Sequence, residues 1–86
     1  MNINQLIEIV KNKLSKNIVC ENIEVQDKTY LHEGHKSHDK NKFHLKLTIS
    51  SKELKTISKL EATKKIHKIL QDEINNYIHS IQILFN

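Results

Sequence analysis

Between Phe43 and Ser50 the chain alternates in strict period two. Phe43, Leu45, Leu47 and Ile49 are apolar, and His44, Lys46, Thr48 and Ser50 between them are polar. Successive side chains of a strand point to opposite faces, so this run is a β-strand with one face buried. A strand of this kind demands a covering layer and further strands beside it. Both are legible nearby. Ile3, Leu6, Ile7, Val10 and Leu14 recur at helical spacing, which predicts an amphipathic helix over residues 3–16 capped by Asn2 or Asn4. Ile23 and Val25 alternate with polar neighbours from Asn22 to Asp27, a half-buried strand. Ser51-Lys-Glu-Leu starts a short helical turn, and Ser58 with Glu61 forms a capping box for a longer helix over residues 59–76. The inner face of that helix is expected to hold Leu60, Ile66, Ile69, Leu70 and Ile74. Ile81, Ile83 and Phe85 alternate in a last strand, with His79 in the same parity at its start. The order α-β-β-(short α)-α-β predicts an α+β fold, a three-stranded sheet with helices packed on one face. Its 86 residues suffice for one small domain, 1–86, without internal repeat or linker.

Composition narrows the function classes. Hydrophobic residues make up 37% of the chain and Trp is absent, so the core is aliphatic and has little room to enclose an active site. No Ser–His–Asp, metal-hydrolase or phosphate-loop pattern occurs, and Asp27 with His32 makes no dyad without a pocket, so the chain reads as a non-enzyme. All 14 basic residues are lysines. The guanidinium fork that reads phosphate and guanine bidentately is therefore missing, and the net charge of +4 favours nucleic acid and acidic protein alike. The single Cys20 forms no internal disulfide and suits a reducing compartment. It reads as a small buried or half-buried side chain. With no apolar run of membrane-spanning length and no basic leader, the expectation is a soluble cytoplasmic protein without a membrane partner.

The chemistry concentrates between Asp27 and His44, where four of the six histidines and the only glycine lie. His32, His35 and His38 follow an H-x2-H-x2-H spacing, which binds Zn²⁺ or Ni²⁺ adventitiously; no cysteine completes a structural zinc site. His44 points away from Phe43 and Leu45, and reads either as an exposed histidine or as a group supporting a metal ligand. His67 is expected at a core margin. His79 taken alone reads as a partly buried histidine held by a backbone hydrogen bond.

Taken together these segments resemble BolA-like proteins. Asp27-Lys-Thr29-Tyr-Leu-His32-Glu-Gly34-His35 resembles the family's D-x-S-x-x-H-x-G-H, and Phe43-His44-Leu45 its T-H-F. Ser51 and Leu54 match the serine that closes the second strand and the apolar residue after it. Leu70-Gln-Asp-Glu73-Ile is similar to L-x-x-E-L, and His79-Ser-Ile81 to H-A-L. The spacing holds without a gap from Phe43 onward. Two positions depart: F-x-G is Leu54-Lys55-Thr56, and R-H-R is Ala62-Thr63-Lys64, which removes the basic helix entry.

The resemblance implies a class II K-homology-like fold. It implies an iron–sulfur trafficking or regulatory adaptor that pairs with a monothiol glutaredoxin and shares a [2Fe–2S] cluster. Glutaredoxin and glutathione would supply thiolates, and this chain two histidines, by position His32 in the loop and His79. His35 would be an alternate ligand, and His44 an alternate or supporting one. The loop histidine places the chain with the histidine-loop subgroup. The alternative is a K-homology-like, nucleic-acid-binding transcriptional regulator. That route usually clamps the backbone on a G-x-x-G loop. One glycine cannot build it, so the lysines are left with weak, salt-sensitive phosphate binding.

Overall fold

The computed structural model describes residues 1–29 and 42–86. Helix α1 spans Ile3–Asn17, strand β1 Asn22–Asp27, strand β2 Phe43–Ser50, a 3₁₀ turn Leu54–Thr56, helix α2 Lys59–Ile69, helix α3 Gln71–Asn76 and strand β3 Ile78–Phe85. The sheet order is β1-β2-β3. β1 runs antiparallel to β2, and β3 parallel to it. The helical segment between β2 and β3 is the crossover a parallel pair requires.

The register lines up one apolar face. Val25 opposes Leu47, which opposes Ile83; Ile23 opposes Ile49, which opposes Phe85. Leu6, Val10 and Leu14 of α1 and Ala62, Ile66 and Leu70 at the α2 end join Leu45, Leu47 and Ile49 in one buried cluster. The other sheet face carries Glu24, Thr48 and Leu84 in one row and Gln26, Lys46 and Gln82 in the next.

Helix starts follow local chemistry, with one exchange of roles. Asn2 accepts from the Gln5 N–H while Gln5 Oε1 accepts from the Asn2 N–H, so the complete capping box forms at α1. At α2 Ser58 accepts from the Glu61 N–H without a return bond from Glu61. Ser51 is buried and works twice: its hydroxyl donates to the Val19 carbonyl at 2.7 Å and accepts from the Leu54 N–H at 3.2 Å. It thereby ties the 3₁₀ turn to the link between α1 and β1.

The helix expected over 59–76 is broken at Leu70, where φ −97° and ψ 15° leave the helical basin. Two bonds bridge the break: Leu70 N–H to Ile66 O, and Ile74 N–H to Leu70 O. Leu60 is not on the inner face. It is 65% exposed, because a residue two positions before Ala62 is turned by about 200° on a helix of 3.6 residues per turn. Its place is taken by Ala62, which is buried. His67 is exposed on α2 rather than packed at a core margin.

Across the helical layer, Lys13 Nζ lies 2.9 and 2.8 Å from the two Glu73 carboxylate oxygens, with the Glu73 side chain only 8% exposed. This pair ties α1 to α3, and Glu73 is the acid of the segment similar to L-x-x-E-L. Its hydrogen bond to Glu73 holds the Lys13 ammonium above the ordinary lysine pKa, against some desolvation.

Candidate functional site

Three chain segments meet at one end of the sheet: the exit of β1, the start of β2 and the start of β3. The Phe43 N–H donates to the Tyr77 carbonyl, and the Lys28 N–H to the His44 carbonyl. Asp27 Oδ1 accepts from both the N–H and the hydroxyl of Thr29, and that hydroxyl accepts from the His44 N–H at 3.1 Å. An aspartate and a hydroxyl two residues on form such a local turn readily. Here the turn fixes the His44 backbone. Thr29, just past β1, and Lys42, just before β2, both lie at this end of the sheet.

His44 is buried, only 4% exposed, although it sits on the face opposite the core. This corrects the exposed reading. Its Nδ1 lies 2.6 Å from Ser80 Oγ, directly across the β2–β3 pair. His79 is the neighbouring group: the two imidazole centroids are 4.8 Å apart and tilted by 48°.

The position of His79 follows from a slip in the ladder. Phe43 opposes Ile78, but His44 opposes Ser80, so β3 carries one additional residue at that step. A bulge of this kind re-aims a side chain. Ile78 is buried, His79 and Ser80 are exposed, and Ile81, Ile83 and Phe85 return to the core side. Thus the parity that groups His79 with Ile81 in the sequence does not hold in space, and His79 is exposed rather than partly buried.

The arrangement presents an exposed imidazole backed by a buried one. Imidazole nitrogen is a good donor to iron, zinc and copper. Among the described residues no three His, Cys, Asp or Glu side chains gather closely enough to hold a metal ion. A metal bound at His79 therefore needs donors beyond these.

Comparison with known proteins now decides the family. The sequence model described as BolA-like protein matches residues 14–85. This chain is a member of the BolA-like family. It is 26% identical over 76 residues to the protein named DNA-binding transcriptional regulator BolA of Haemophilus influenzae, spanning 88% of this chain and 71% of that one. Its structure superposes on the BolA domain of SufE1 from Arabidopsis thaliana with a TM-score of 0.79 and 27% identity, over 100% of this chain and 93% of that one. BolA1 from the same plant shares the fold, with a TM-score of 0.77 at 19% identity over 91% of this chain and 86% of that one. The α+β architecture expected from the sequence is the one these BolA-like structures share.

Of the four site residues the sequence suggests, the structure brings His44 and His79 together. His32 and His35 lie outside the described residues, as does His38. Ser80 escapes a reading for titratable groups. The signal that could have found it is its place beside His79, on the strand that follows the crossover. Cys20 is half-buried as expected, its Sγ donating to the Ile18 carbonyl at 3.4 Å. Burial, and then the carboxylates of Glu21 and Glu53, push its thiol pKa up, so it stays protonated. A cavity of about 330 Å³ at the far end of the sheet, between Ile49, Leu54, Ile57 and Phe85, has Lys55 and Lys59 in its lining and no histidine. No described helix is long and apolar enough to cross a membrane.

Proposed function

We propose that this BolA-like protein is a non-catalytic adaptor that shares a [2Fe–2S] cluster with a monothiol glutaredoxin, working in the reducing cytoplasm. His79 is one donor and His32 the second, with His35 as the alternate in the loop. Glutaredoxin and glutathione bring the thiolates. The observation that carries this reading is the exposure of His79 on a bulge, braced by a buried imidazole at the end of the sheet that also holds Thr29 and Lys42. The donor chemistry fits: an imidazole replaces a thiolate on a cluster iron in Rieske-type centres and raises the reduction potential. Two histidines leave half of a four-ligand set to a partner, so the partner is a chemical requirement.

The test is reconstitution with a monothiol glutaredoxin, glutathione, iron and sulfide. A heterodimer is expected whose visible absorption and circular dichroism differ from those of the glutaredoxin homodimer. His79→Ala should abolish that difference. An unchanged spectrum in His79→Ala refutes the ligand assignment, and the lack of any heterodimer refutes the adaptor.

One observation favours a second reading, nucleic-acid binding. Lys55, Lys59, Lys64 and Lys68 along the 3₁₀ turn and α2, and Lys52 just before them, are all exposed, and the Haemophilus relative is named as DNA-binding. Lysines without arginine give mainly phosphate contacts, whose affinity falls steeply with salt. Submicromolar, sequence-selective binding to duplex DNA at physiological salt would put this reading first.

A further inference from the structure

We propose that Ser80 is a positioning residue for His79 and acts through His44. The inference rests on the reading of His79 as a ligand only for its use, not for its geometry.

A ligating imidazole must hold its ring plane so that one nitrogen faces the metal. The χ2 torsion of histidine is broad, so nothing in His79 itself sets that plane. Its position on the bulge also leaves it without an opposing residue on β2, since His44 opposes Ser80 and Phe43 opposes Ile78. The ring contact at 4.8 Å is with His44. The orientation of His79 therefore depends on how firmly His44 is held.

Three hydrogen bonds to described residues hold His44. Its N–H donates to Thr29 Oγ1, its carbonyl accepts from the Lys28 N–H, and its Nδ1 shares a 2.6 Å hydrogen bond with Ser80 Oγ. The first two fix the backbone and only the third fixes the ring among these. Ser80 is also the residue next to His79. The three residues close a small circuit: His79 is covalently joined to Ser80, Ser80 is hydrogen-bonded to the His44 ring, and the His44 ring packs on His79. The bulge makes the circuit possible by placing Ser80, rather than His79, opposite His44. The motif H-A-L, to which this segment is similar, carries alanine at that place and cannot form the bond.

Three variants of the metal-free protein test this: Ser80→Ala, Ser80→Thr and His44→Phe. The readout is the NMR signal of the His79 ring, its Cδ2–H shift and its fast-timescale order parameter. Ser80→Ala is expected to shift the His79 signal and lower its order parameter, and Ser80→Thr, which keeps the hydroxyl, to restore both. His44→Phe keeps a buried ring but loses the bond, and should make the effect of Ser80→Ala vanish. The reconstituted complex of Ser80→Ala should then show altered visible circular dichroism at unchanged cluster content. If Ser80→Ala changes His44 signals and leaves the His79 ring unmoved, the positioning role is refuted. These ring signals are measured without any cluster present. A failure of wild type to share a cluster would refute the adaptor function while leaving the positioning result standing.

Discussion

The Lys13–Glu73 pair offers the sharpest test of how the helices hold the site end of the sheet. Glu73 lies in α3, whose last turn leads directly into Tyr77, Ile78 and His79, and its carbonyl accepts from the Tyr77 N–H. Replace Lys13 with Ala. The ammonium contacts both carboxylate oxygens, at 2.9 and 2.8 Å. Unit charges this close attract by at least about 4 kcal/mol at an effective dielectric of about 20. Desolvation of the carboxylate opposes that gain, and the 36% exposure of the Lys13 side chain lets solvent screen it. Breaking a fully buried pair costs about 3–5 kcal/mol and an exposed one about 0–1. This pair is buried on the acid side alone, so Lys13→Ala should lose about 2 kcal/mol. For a domain of this size that is a fall in Tm of about 8–16 °C. Urea unfolding followed at 222 nm measures it, with the m-value unchanged. The double variant Lys13→Met, Glu73→Leu should recover most of the loss, because no charge is left buried alone. The pH dependence has a definite sign. Folding raises the Lys13 pKa, so the contribution is whole below the ordinary lysine value of about 10.4 and is lost as pH climbs through the higher folded value. A Lys13→Ala protein within about 0.5 kcal/mol of wild type, or a double variant no better than the sum of the singles, would mean solvent already screens the pair and the reasoning fails.

Two further outcomes follow from the hydrogen bonds and the thiol. Thr29→Val removes the hydroxyl that accepts from the His44 N–H and should cost about 1–2 kcal/mol, with hydrogen exchange of the His44 amide accelerated beyond the global change; Thr29→Ser should restore protection, and equal protection in Thr29→Val would refute the anchor. Cys20 should react with iodoacetamide at pH 8 more slowly than an unhindered thiol and at the normal rate in urea, since burial, Glu21 and Glu53 raise its pKa; that preference for the thiol contributes stability below the ordinary thiol range and loses it as pH rises through the folded value.

What the sequence disclosed follows the range of the forces involved. Alternation in β2 and the 3.6-residue spacing of Leu6, Val10 and Leu14 are local patterns with one buried face each, and both elements form as read. Leu60 misled because hydrophobicity alone suggested a face that Ala62, a smaller residue, occupies. The break at Leu70 carries no Pro or Gly to announce it. The site was half legible. His79 could be singled out, but its exposure depends on a register slip between strands distant in sequence, which no local window contains. The burial of His44 belongs to the same class. Its polar place in the alternation is correct, and among the groups that hold it are Thr29, just past β1, and Ser80 of β3.

The parallel pairing of β2 with β3 has a kinetic consequence. His44 and Ser80 are 36 residues apart in sequence, and the helical crossover must close before they meet. Pairings of this kind carry a large loop-closure cost and tend to form late, whereas the antiparallel β1–β2 pair can form without the crossover. A nascent or stalled chain with that pair alone would hold His44 but would not yet present His79 against it. The pairing of the His44 and His79 rings at this end of the sheet is thus a readout of completed folding.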